Sequence, residues 1–271
     1  MLEAENVTVN YDSRTAVAGV SLSLRPNEMT SIIGPNGAGK SSLLRALNGY
    51  VRLVKGSIRL EGKPLADYDR RTIARKIAVV AQEAELRFPV TVFDFVLGGR
   101  FAWSRSNAFG WESESDIKIV RRVLEETSLT QLADRLINEL SGGERQRAVL
   151  ARALATQASN FLLDEPTTNL DLEHQQTLLR LIRKRCDEQS ASALVISHDL
   201  NLVAQFSDYV LILKEGRKIF QGRPPEVLTS AILKEVFAVN VLVDDHPIAG
   251  GLRVTPVFET ARRIENNESL S

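Results

Sequence analysis

The sequence predicts an α/β fold: a buried sheet of short strands, an antiparallel layer near the N-terminus, and a helical subdomain inserted between strands. Three features carry that expectation. Most apolar runs are short and end at Gly or a polar residue, as buried strands do. The earliest segments alternate apolar and polar residues, as strands with one wet face do. Between Phe88 and Thr156 both patterns give way to helical spacing.

Leu2 to Val9, Val20 to Arg25 and Ser57 to Glu61 alternate and predict the antiparallel layer. Met29 to Ile33 (M-T-S-I-I) is an apolar strand entering a Gly-rich turn, and Ser41 to Asn48 reads as a helix stopped at Gly49. Ile77 to Ala81 is a further strand. Beyond the polar loop Ser104 to Asn107, the stretches Ser115 to Thr127 and Gly143 to Ala155 are helical. Phe161 to Leu163 is a short strand ending in two acids, and Ala193 to Ile196 is another, ending in Ser197-His198. Tyr209 to Leu213 and Lys218 to Gln221 flank K-E-G-R and predict a hairpin. The expected organisation is one domain over 1–229, with its core at about 1–87 and 157–229 and the helical subdomain at about 88–156. A C-terminal extension follows over 230–271, with a polar tail expected to fray from about Ala261.

Composition narrows the function classes. The chain has 271 residues, of which 44% are hydrophobic and 25% charged, enough for a full-sized core. Its 34 basic residues balance 34 acidic ones, which argues against a nucleic-acid partner. A single cysteine, Cys186, excludes an intramolecular disulfide. The N-terminal M-L-E-A-E-N-V-T-V-N has no signal-peptide character, and no stretch approaches the ~20 apolar residues of a membrane span. A soluble protein of a reducing compartment is expected, with any membrane connection made through a partner.

The strongest local signal is Gly34-Pro35-Asn36-Gly37-Ala38-Gly39-Lys40-Ser41, a P-loop pattern with a strand before it and a helix after it. Its glycines let backbone amides curl around phosphates, Lys40 supplies charge to the β and γ phosphates, and the Ser41 hydroxyl suits Mg²⁺. A Gly-rich turn with an exposed lysine is the bland alternative, and the flanking strand and helix weigh against it. Asp164 and Glu165 end the strand F-L-L-D-E: the first fits a metal-orienting carboxylate, the second a group that polarises attacking water. Alone, two acids before Pro166 read equally well as a solvated turn. Leu140-Ser141-Gly142-Gly143-Glu144 opens a helix with a second phosphate-facing start. One γ phosphate needs one P-loop, so a second anion site points to two chains sharing a nucleotide.

That last segment resembles the signature motif of ABC-type ATPases, with Glu144 where Gln is the commonest residue. The resemblance implies a RecA-like parallel-sheet core and ATP with Mg²⁺ as its small-molecule partners. Gln82 looks like the Q-loop glutamine that contacts Mg²⁺ and senses a membrane partner, joining Ser41 and Asp164 (through water) at the metal. The ATP contacts extend to Ser42. Asp171 resembles the D-loop aspartate at the dimer interface, His198 the switch histidine that holds the γ phosphate and attacking water, and Tyr11 the ring that stacks on adenine. Each has a plainer reading: a capping histidine, a loop amide, ordinary packing at a strand end. His174, His246 and Cys186 have no motif around them.

F-P-V-T-V-F-D-F-V-L-G-G-R (Phe88 to Arg100), F-G-W-E-S-E-S-D (Phe109 to Asp116) and G-R-P-P-E-V-L-T followed by L-K-E-V-F-A-V-N-V look like ATP-binding subunits of importers for iron–siderophore complexes, haem and vitamin B12. This implies a homodimer on the cytoplasmic face of the inner membrane. It would be bound peripherally to an integral permease dimer that a periplasmic substrate-binding protein supplies. Trp103 and Trp111, with Phe101 and Phe109, either dock a partner helix or pin the helical subdomain to the core. Two other readings are the ATPase of an exporter or lipid-trafficking complex, and a soluble ATPase acting on nucleic acid or ribosomes. The single ATPase unit, the lack of a coiled-coil insertion and the neutral charge disfavour the last. No residue here encodes the cargo, so haem, ferric siderophore and cobalamin stay open.

Overall fold

A computed structural model describes residues 1–81, 89–103, 113–168, 170–247 and 250–257. Gln82, Phe109, Trp111, the loop Ser104 to Asn107 and the tail from Ala261 lie outside the described residues.

The chain opens with an antiparallel hairpin of β1 (Leu2–Tyr11) and β2 (Arg14–Leu24). A bulge at Asn6, where φ is 49°, resets the alternation so that Ala4, Val7 and Val9 all face inward. β2 begins at Arg14 rather than Val20, because pairing continues to the Tyr11–Arg14 rung although Thr15 and Ala16 break the apolar alternation. β3 (Met29–Ile33), buried along its length, feeds the glycine loop, and α1 (Lys40–Leu47) follows. β4 (Lys55–Leu60) and β5 (Lys63–Pro64) return to the hairpin and complete a sheet of order β2-β1-β4-β5. α2 (Arg70–Lys76), capped by Asp69, leads into β6 (Ile77–Val80).

Next come α3 (Val92–Leu97), α4 (Glu114–Glu126) and α5 (Gly142–Ala155). Their inner faces, including Val92, Val96, Val120, Leu124, Ala148 and Ala151, share one core with Phe161 and Leu163 of β7 (Asn160–Asp164). Each fully buried Leu or Ile in that core contributes about 1.5–3 kcal/mol. Trp103 fastens this region to the sheet domain. Its indole N–H donates to Thr156 O at 2.8 Å, and the Arg75 and Arg100 guanidinium groups stand over its ring at 5.3 and 4.9 Å. Arg100 in turn pairs with buried Asp116 at 2.7 Å. Trp103 makes these contacts while 38% exposed, and Phe101 beside it is 83% exposed.

α6 (Leu172–Gln189) carries Cys186 inward, β8 (Ser192–Ile196) follows, and α7 (Leu200–Phe206) precedes the hairpin of β9 (Tyr209–Lys214) and β10 (Arg217–Gly222). The second sheet has the order β10-β9-β3-β8-β7-β6, parallel except at the β9–β10 hairpin. Burial pushes the Cys186 thiol from 9.0 up to about 12. Its thiolate fraction is then on the order of a thousandfold lower than that of the unfolded chain. Thiol labelling at neutral pH is expected only on unfolding, and equal native and unfolded labelling rates would contradict the packing of α6.

The extension is structured further than its sequence indicates. α8 (Pro224–Val227) and α9 (Ser230–Phe237) are followed by an antiparallel hairpin of β11 (Val241–Asp245) and β12 (Leu252–Pro256). Val241 and Val254 join Ile33, Val203, Val210 and Leu233 in a third apolar cluster. The Asn201 side chain pairs with both backbone groups of Val254, at 2.8 and 3.2 Å.

Candidate functional site

Sheet order explains why distant motifs meet. β3, β8 and β7 are adjacent parallel strands, so their C-terminal ends share one edge, where open α/β sheets bind ligands. The glycine loop leaves β3, Ser197-His198 leaves β8, and Asp164-Glu165 leaves β7.

The loop is wedged between two neighbours. A methyl group on Gly34 would lie 2.0 Å from Leu213 O, and one on Gly39 would lie 2.2 Å from Ala16 O. The Gly216 amide, in the β9–β10 turn, donates to Ala38 O at 3.0 Å, while Ala18 N–H donates to Gly216 O at 2.8 Å. Gly39 also has φ 95°, which side chains rarely adopt. Gly39→Ala is expected to cost about 2–4 kcal/mol, a fall in melting temperature of roughly 5–10 °C. An unchanged melting temperature would mean that β2 yields freely.

Lys40 is buried, and its ammonium donates to Gly34 O at 2.8 Å and Pro35 O at 3.0 Å. Burial holds its pKa below the ordinary lysine value, against the opposing pull of Glu165 and Asp164. Asp164 is also buried. Desolvation pushes its carboxyl above the usual range, the Ser41 hydroxyl bonded to it counters this, and the Glu165 charge adds to the rise. Its Oδ1 is buried with no hydrogen-bond partner among the described residues. A buried carboxylate oxygen left unpaired is costly unless something cationic takes it. Ser41 and Asp164 therefore fit an oxygen-ligated divalent ion such as Mg²⁺.

Glu165 sits at the turn after β7 with φ 51°, and its amide donates to Ile196 O at 3.1 Å, tying the ends of β7 and β8 together. That places its Oε1 2.8 Å from His198 Nε2. The sequence proposes these two residues separately, and the structure brings them into one hydrogen-bonded pair.

Ser141 is the N-cap of α5. Its hydroxyl accepts from Glu144 N–H at 3.3 Å, and the Glu144 carboxylate accepts from Ser141 N–H at 2.8 Å. The acid at Glu144 thus closes a capping box, and the Ser141 backbone bond holds its pKa below the usual range. Gly142 and Gly143 form the first turn. Among the described residues no hydrogen bond or ion pair joins Ser141 to Glu144 with the glycine loop. Gln146, unremarked in the sequence, links the helix to the acidic strand end by donating to Pro166 O at 2.9 Å.

Asp171 caps α6, accepting from His174 N–H at 2.9 Å with His174 Nδ1 at 2.6 Å, and these bonds keep its carboxyl below the usual range. His174, without a motif of its own, therefore has an evident partner. Tyr11 is 40% exposed at the end of β1, paired across the hairpin with Arg14. Pro35 and Asn36 lie in the loop and Ser42 in the first turn of α1, whereas Gln82 lies outside the described residues. Among the described residues no helix is long and apolar enough to cross a membrane.

Known proteins resemble this chain in sequence and in fold. The ABC transporter family model matches residues 17–168. The iron(3+)-hydroxamate import ATP-binding protein FhuC of Bacillus subtilis is 37% identical over 269 residues, 99% of this chain and 98% of that protein. The hemin import ATP-binding protein HmuV of Enterobacter cloacae is 42% identical over 261 residues, 94% of this chain and 96% of that one. A solved metal-chelate type ABC transporter in an inward-facing conformation superposes with a TM-score of 0.80, at 28% identity over 95% of this chain and 97% of the other.

Proposed function

This chain belongs to the ABC transporter family as an ATPase of that fold, and from that premise we propose that it powers import of an iron chelate or haem through a membrane permease. The observation that carries the ATPase chemistry is the convergence of Lys40, Asp164 and the Glu165–His198 pair on one edge of the parallel sheet. The cargo class follows the FhuC and HmuV relatives, each matched along nearly its whole length.

In this reading Gly34 to Ser42 bind the phosphates and Tyr11 stacks on the base, while Ser41, Gln82 and, through water, Asp164 would hold Mg²⁺. Bound Mg²⁺ offsets phosphate charge. Glu165 takes the proton of the attacking water, and His198 orients Glu165 and contacts the γ phosphate. The second chain of a homodimer completes the site with its own Ser141 to Gly143 at the start of α5, and Asp171 lies at the interface. Because Ser141 to Gly143 make no bond to their own glycine loop, they are available to a second chain. ATP then favours the closed dimer over the open one and shifts the attached permease with it.

The permease, supplied by a periplasmic binding protein, would hold the chain at the cytoplasmic face of the inner membrane. A cleft of about 550 Å³ lined by Ile73, Phe95, Phe101 and Arg152 supports a docking site for the permease. Pull-down of tagged Glu165→Gln from detergent-solubilised membranes with ATP tests the proposal. A co-purifying polytopic permease is the expected result. Recovery with ribosomes or DNA and no membrane protein would overturn it.

A further inference from the structure

We propose that Arg14 is a ligand of the nucleotide's phosphate chain, a role that rests on reading Gly34 to Ser41 as the nucleotide cradle. The start of β2 runs alongside that loop. Ala16 O packs against Gly39, and two residues earlier Nη2 of Arg14 lies 3.9 Å from where a methyl group on Gly37 would stand. Arg14 is exposed. Its guanidinium makes no hydrogen bond or ion pair with any described residue. A cation placed against a phosphate-binding loop and spending nothing on the fold is available for an anion.

Strand register adds a direction. Tyr11 and Arg14 are directly opposed across the hairpin, so their side chains share a face. One end of that pair is an aromatic ring suited to a base, and the other reaches the middle of the glycine loop. Lys40 is engaged by the Gly34 and Pro35 carbonyls and buried, whereas Arg14 stands beside Gly37 and is exposed, so the two cations reach the loop differently. A forked guanidinium suits that task, because it can give two parallel hydrogen bonds to phosphate oxygens.

The test is equilibrium binding of ATP, ADP and adenosine to the full chain, comparing wild type, Arg14→Ala, Arg14→Lys and Lys40→Ala. Arg14→Ala is expected to weaken ATP and ADP alike by roughly tenfold. Adenosine, read by competition, should be unaffected, and the variant's affinity should depend less steeply on salt. Arg14→Lys should recover much of the loss, which a structural defect of the hairpin would not allow. ATP binding within about twofold of wild type, against this expected scale, would overturn the assignment. An equal loss for adenosine would also overturn it, by placing Arg14 at the base. If Lys40→Ala binds ATP normally as well, the cradle reading is what has failed; if only Arg14→Ala does, the cradle stands and Arg14 is a bystander.

Discussion

Glu165→Gln is expected to lower ATP turnover by about 100- to 10,000-fold, the range for removing a positioned general base, while ATP binding persists. The amide keeps the size of the side chain and can still hydrogen-bond His198, so the 2.8 Å pairing and the β7–β8 tie through the Glu165 amide survive. What disappears is the ability to take a proton from water. His198→Ala should fall in the same direction, and the double variant should be little worse than Glu165→Gln alone, because two groups acting as one unit are not additive. Single-turnover hydrolysis separates this from a binding defect. Near-normal turnover in Glu165→Gln would remove Glu165 from the chemistry and leave the pair a structural bond.

Lys40→Ala acts one step earlier. Its expected result is an ATP affinity about 100-fold weaker, from loss of charge-assisted hydrogen bonds to phosphate. In the described structure Lys40 folds back on the Gly34 and Pro35 carbonyls, so the loop is already shaped around a positive charge before nucleotide arrives. Burial weakens the hold of Lys40 on its proton, and the neighbouring Glu165 and Asp164 charges oppose that fall. Lys40→Arg should also bind poorly, because a planar fork does not fit a pocket shaped for a compact ammonium. Titration calorimetry reads both variants. Tight ATP binding by Lys40→Ala would end the cradle assignment.

What could be read from sequence was whatever chemistry writes compactly. The glycine loop, the two acids after F-L-L and the histidine after A-L-V-I are each a few contiguous residues beside a strand, and all lie where strand order brings them together. The Glu165–His198 bond was not readable, since it depends on β7 and β8 being neighbours. Arg14 carried no signal either: one arginine near a turn is ordinary, and only its approach to Gly37 sets it apart. The hairpin of β11 and β12 stayed hidden for another reason. V-L-V-D-D and L-R-V-T-P are short and charged, and read alone they do not alternate convincingly. Their charges are reconciled only when paired, Arg253 opposite Asp244 at 2.5 Å. The pinning contacts of Trp103 were equally hidden, because Thr156 and Arg75 lie far from it in sequence.

The position of β3 in its sheet also governs how the protein is made. Its two neighbours are β8 and β9, and neither exists until the chain has been synthesised past Ser192. The hairpin of β1 and β2 can form as soon as it emerges, but the strand that launches the glycine loop must wait unpaired until β8 and β9 follow. An N-terminal fragment would therefore contain every letter of the phosphate-binding motif and still lack the sheet that shapes it. Its bare strand edges would instead invite aggregation. ATP recognition is thus encoded early in the chain but acquired only once β8 and β9 have been made.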